Sequence, residues 1–98
     1  MAIRPIRFQQ SFFDDLDSQL PAERTADGLP SATDFLLYDL PRLRDLLARD
    51  FERNTHPVDG AEPVRVLIQA GTLVRSVAMY AISTPDGAVD VIAVDIDS

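Results

Sequence analysis

Residues 64–96 read VRVLIQAGTLVRSVAMYAISTPDGAVDVIAVDI, and the fold class turns on how this stretch divides. Val64, Val66 and Ile68 alternate with Arg65, Leu67 and Gln69, the period of two that places successive side chains on opposite faces of a strand. Ala70-Gly71-Thr72 is a hairpin candidate, and residues 73–83, LVRSVAMYAIS, are rich in strand formers. Thr84-Pro85-Asp86-Gly87 is a turn with a mechanism: proline presets φ and glycine accepts positive φ. Residues 88–96, AVDVIAVDI, then predict a last strand buried on both faces over much of its length. The whole stretch reads as a three-stranded antiparallel meander.

Upstream of Pro63 the period is helical. Phe12, Leu16 and Leu20 recur every fourth residue with Phe13 widening the stripe. Ser11 with Asp14 has the form of a capping box, and Pro21 ends the helix. Ser31 and Asp34 repeat the capping pattern before a second helical region. Pro41 interrupts that region, and an interior proline costs about 3 kcal/mol. A short helix over 32–38 and a longer one over 40–53 capped by Asp39 are therefore expected. Leu40, Leu43, Leu46, Leu47 and Phe51 form the stripe of the longer one. Residues 21–30, PAERTADGLP, and 54–63, NTHPVDGAEP, read as loops, the first as the most mobile segment. Residues 2–8, AIRPIRF, read as a first strand that rejoins the meander, because a lone strand leaves its backbone groups unpaired. The expected class is α+β: a small antiparallel sheet, an N-terminal strand plus a C-terminal meander, with two or three helices on one face. One domain over 1–98 suffices for a chain of 98 residues.

Composition narrows the function. Sixteen acids against nine arginines, with no lysine, give a net charge of −7, which opposes general affinity for phosphate backbones. Nucleic acid is expected only by way of the ribosome. No cysteine is present, so disulfides, thiolate metal sites and cysteine nucleophiles are excluded, and the composition fits the cytoplasm. No apolar run approaches the ~20 residues of a membrane span. The four glycines, Gly28, Gly60, Gly71 and Gly87, are isolated in turns rather than grouped in a phosphate loop.

Candidate chemistry is sparse. His56, the only histidine, stands in a loop between Thr55 and Pro57 without the neighbours a general base needs. Asp95 and Asp97 share a side of the last strand but lack the ligand spacing of a hard-metal loop, so neither metal nor cofactor is expected. Arg65 and Arg75 are the basic residues of the sheet region, where an arginine holds a phosphate, a partner's carboxylate or a cross-strand acid. With Gln69 and Tyr80 they make up the candidate active or partner-binding face.

Three segments, IRPIRFQQSFFDDLDSQL (3–20), VRVLIQAGTLVRSVAMYAI (64–82) and AVDVIAVDI (88–96), taken with the element order, resemble the RelE/ParE toxin superfamily of bacterial toxin–antitoxin systems. The resemblance implies a toxin-like domain neutralised by a small antitoxin. An N-terminal edge and a half-covered sheet in so small a domain leave apolar surface for a second chain, so a small partner or, failing that, a homodimer is expected. RelE-like members cut mRNA on the ribosome, and ParE-like members inhibit DNA gyrase. The nucleases carry basic residues on the central hairpin and at the C-terminal end. Here the hairpin offers Arg65 and Arg75, with Tyr80 five residues beyond, while the end offers Asp95 and Asp97. Carboxylates there oppose the positive charge that phosphoryl transfer needs. The expectation is thus a ParE-like member that binds a protein target. A ribosome-dependent nuclease and a non-toxin interaction protein of the same layout stay open, and with them whether the chain is an enzyme.

Overall fold

A computed structural model describes residues 3–97; Met1, Ala2 and Ser98, the outermost positions of the expected domain and first strand, lie outside them. The chain runs β1 (Ile6–Phe8), α1 (Gln10–Gln19), α2 (Ala32–Asp34), a π turn (Phe35–Asp39), α3 (Leu40–Arg49), α4 (Phe51–Asn54), β2 (His56–Pro57), β3 (Arg65–Ala70), β4 (Ser76–Ser83) and β5 (Val89–Asp97). The strands form one five-stranded sheet in the order β1-β5-β4-β3-β2. The class is α+β, and β3, β4 and β5 make the expected antiparallel meander.

Two features of the sheet differ from expectation. β1 rejoins the sheet, but parallel to β5, with Ile6 opposite Val89 and Phe8 opposite Val91. Alternation shows which face a residue takes and is silent about strand direction. β2, inside the expected loop, pairs His56 and Pro57 with Val66 and Arg65.

β5 buries one face rather than two. Val89, Val91 and Val94 are fully buried, although an unbroken alternation would turn Val94 outward. A register shift between Tyr80 and Ala81 of β4 absorbs the extra residue of β5, as a β-bulge does. The run of apolar residues in AVDVIAVDI thus reflects a one-residue slip, with the core kept to one side.

The helices pack on that side. Phe12, Leu16 and Leu20 meet Phe35, Leu43, Leu47 and Phe51 over Leu67, Val77, Met79 and the β5 valines. Phe12 sits between Phe8 and Phe13, with ring centroids 4.9 and 5.2 Å away. The Ser31–Asp34 capping box forms as expected. The Ser11–Asp14 box does not: Gln9 occupies the cap position of α1 without a side-chain bond. Ser11 is instead drawn to β5, where its hydroxyl donates to the Ile92 carbonyl.

Pro41 does not divide the second helical region. Its ring would clash with the carbonyl of Leu37, four residues back. The chain widens at that point, and the Leu40 N–H bonds Phe35 C=O five residues back. The helical path therefore continues from Ala32 to Arg49. Asp39, expected as a cap, is fully buried and accepts the backbone N–H groups of Thr72 and Leu73. It fastens the β3–β4 turn to the helical layer.

One edge of the sheet is closed by side chains. β1 covers β5 only from Val89 to Val91. Beyond it, α1 lies along the strand and presents Ser11, Asp15 and Gln19 at four-residue spacing, one above the other on its surface. The Asp15 carboxylate accepts from Val94 N–H at 3.2 Å. The Gln19 amide donates to Val94 C=O and accepts from Ile96 N–H, both at 2.6 Å. These groups take the bonds that a neighbouring strand would make, and so blunt an edge that would otherwise template pairing.

Candidate protein-binding face

The side of the sheet away from the helices follows from register. Leu67 faces Met79 across β3 and β4, and both are buried in the core. Their neighbours along each strand therefore point the other way: Val66 and Ile68 from β3, Ala78, Tyr80 and Ile82 from β4. Across β5, Ala93 stands opposite Tyr80, Asp95 opposite Ala78 and Asp97 opposite Ser76. This open face is apolar, and Ile68, on β3 beyond the reach of β2, is 59% exposed. The face of an antiparallel sheet that meets water is ordinarily polar.

Charge lies at the margins. Arg7 projects from β1 and donates from Nε to Asp90 Oδ1 at 2.6 Å and from Nη1 to Asp86 at 3.1 Å. The hydrogen bond to Asp90, more than any other contact, raises the affinity of the Arg7 guanidinium for its proton. Asp95 and Asp97 are exposed on the β5 side. The Tyr80 hydroxyl reaches Asp95 at a long 3.5 Å. His56 is exposed on β2 opposite Val66.

The four candidate residues do not converge. Arg65 has the inward parity of Leu67. Its Nε donates to Thr55 Oγ1 at 2.8 Å, and its Nη2 donates to the carbonyls of Glu52 and Thr55, both at 2.9 Å. The guanidinium thus satisfies carbonyls at the C-terminal end of α4, where a cation is favoured. Gln69 shares this inward parity, opposite Val77, and is half-buried. Arg75 is exposed in the turn after β3, at the opposite end of that strand from Arg65; its N–H donates to Asp97 C=O at 2.8 Å. Tyr80 alone of the four stands on the open face.

A cavity of about 230 Å³ lies beside β2, lined by Pro57, Glu62, Pro63, Val64 and Arg65. It is below the ~300–1,000 Å³ usual for small-molecule sites, and Nε and Nη2 of the Arg65 beside it are already engaged. Among the described residues, no three or more histidine or acidic side chains are grouped to hold a metal ion. No helix among the described residues is long and apolar enough to cross a membrane.

Residue type misled the reading of Arg65, since a strand arginine passes for a surface group. The apolar residues of the open face carried a usable signal. Val66, Ile68, Ala78 and Ile82 are apolar on one side of the alternation while Leu67, Val77 and Met79 are apolar on the other, which a face fully given to water does not require. No protein-family model matches the chain, and neither a curated protein nor a solved structure does.

Proposed function

We propose that the chain is a toxin-like binding module of the RelE/ParE kind. In this reading it acts in the bacterial cytoplasm by gripping a protein target and is neutralised by a small antitoxin. The observation that carries the proposal is the open face, where half-buried Ala78, Tyr80, Ile82 and Ala93 adjoin exposed Ile68 on the side of the sheet the helices leave uncovered. An apolar face left partly open to water is the kind of surface that a partner covers. The order strand, helices, meander, with the first strand beside the last, supports the family likeness drawn from the sequence. The commitment of Arg65 to the end of α4 weighs against the nuclease alternative, because it leaves Arg75 as the hairpin arginine exposed to solvent.

The test is inducible expression in a bacterium, reading growth, translation and DNA supercoiling together. Growth arrest with altered supercoiling, lost in an Ile68→Asp variant that stays folded, is the expected result. Unimpaired growth, translation and supercoiling at high expression would overturn the toxin reading in favour of an accessory interaction protein. Cuts in ribosome-bound mRNA that vanish on Arg75→Ala would establish the nuclease.

A further inference from the structure

The open face carries information about the chemistry of what it binds. Resting on the reading of this face as the binding surface, we propose that its occupant is a cationic amphipathic helix. It would lie along the sheet with an apolar stripe on Ile68, Ala78, Tyr80 and Ala93 and its basic flank over Asp95 and Asp97.

The dimensions fit a helix. β3, β4 and β5 lie side by side, a width of about 10 Å at ~4.8 Å per strand spacing, and the six residues of β3 extend ~20 Å. A helix is ~10–12 Å across and rises ~1.5 Å per residue, so about thirteen residues span the face. Strand addition at the outer edge of β5 is opposed by β1 and by the side chains of Ser11, Asp15 and Gln19, which already hold backbone groups there. At the other edge β2 covers Arg65 and Val66, and Arg42 takes the Ala70 carbonyl, which leaves only a short stretch of β3 between them.

The charges select the sign. Asp95 and Asp97 stand on the rim without an ion pair among the described residues. Arg7, on the same face, is engaged by Asp90 and Asp86. The molecule as a whole carries −7, so an acidic segment is repelled both at long range and at the rim. A second copy of the chain would bring the same two aspartates and another −7 against the first. A basic partner gains at both distances.

The probe is a fifteen-residue helical peptide with a leucine stripe and lysine flanks, titrated into the full chain while amide shifts are followed by NMR. The comparison is the same peptide with every lysine replaced by glutamate. The expected result is shifts centred on Ile68, Ala78, Tyr80 and Ala93, with the lysine peptide at least about tenfold tighter. That advantage should fall to about twofold in an Asp95→Asn, Asp97→Asn variant and in ~0.5 M salt, as two rim ion pairs dictate. Both aspartates are exposed, so the variant keeps the fold. Equal or tighter binding of the glutamate peptide on the same face would overturn the cationic partner and leave the face as a binding surface. Lysine-peptide shifts mapping instead to the acids of α1 would also overturn it. If neither peptide moves the face while Ile68→Asp still abolishes growth arrest, the helix proposal fails and the proposed function stands.

Discussion

Gln19→Ala removes two of the bonds by which α1 stands in for a strand beside the far part of β5, and leaves that of Asp15 to the Val94 N–H. The amide group donates to Val94 C=O and accepts from Ile96 N–H, and both bonds are part-buried. A neutral intramolecular hydrogen bond contributes about 1 ± 0.5 kcal/mol, and a part-buried group left unpaired costs up to ~1–3 kcal/mol. The expected loss is about 2–3 kcal/mol, a large share of the ~5–15 kcal/mol that holds a domain of this size. In a heat melt it corresponds to a fall of about 8–24 °C. Urea unfolding gives the energy, and amide hydrogen exchange gives the location. The Ile96 N–H should exchange much faster in the variant, while the Met79 and Val91 amides follow the change in global stability. Gln10→Ala is the control, because Gln10 is exposed and its amide bonds only Asp14 within the same helix, worth no more than ~0.5 kcal/mol. A loss below ~0.5 kcal/mol with Ile96 exchange unchanged would show that water replaces Gln19 freely and that the edge is not held by side chains.

Asp39→Ala removes the charged acceptor of two part-buried backbone N–H groups in the β3–β4 turn. A loss of about 3–5 kcal/mol in urea is expected, with Asp39→Asn recovering part of it because an amide oxygen still accepts. Gly71→Ala places a Cβ 2.5 Å from the Val74 carbonyl oxygen and 2.6 Å from its Cγ2, so backbone must shift; a lowered melting temperature is expected, and an unchanged one would contradict the close approach. The Arg24 guanidinium, with help from the Ser31 N–H, lowers Asp34 from 3.8 to about 2. The unfolded chain therefore binds this proton first, and the stabilisation, complete above about pH 4, fades as the pH falls towards 2. Melting temperatures across that interval should decline less steeply in Asp34→Asn than in the parent chain.

The local signals in the sequence carried most of the framework. The period of two after Pro63 marked the meander, Gly87 takes the positive φ its turn requires, and Ser31 with Asp34 capped a helix. What escaped was decided by partners distant in the chain. Ser11 has the right spacing for a cap but is recruited by Ile92, 81 residues on. His56 and Pro57 form a strand only because Val66 and Arg65 are there to pair with them. Pro41 reads as a helix break, yet the energy of burying Leu40, Leu43 and Leu47 on one face is better kept by widening one turn than by ending the helix. Arg65 shows the limit for the site: no local pattern distinguishes an arginine facing a partner from one tending the end of a neighbouring helix.

The pairing of β1 with β5 also sets a timetable. Arg7 and Asp90 are 83 residues apart, and at ~5–20 residues per second of synthesis about 4–17 s separate their appearance on the ribosome. Throughout that interval Ile6 and Phe8 have no strand to lie against, and Phe12 and Leu16 have no β5 valines to cover. Contacts of such long sequence separation are also the slow ones to close once both ends exist. The nascent chain therefore spends seconds with the aromatic cluster of Phe8, Phe12 and Phe13 open to capture, and a chaperone or a co-translated partner meets its most adhesive form before the sheet is complete.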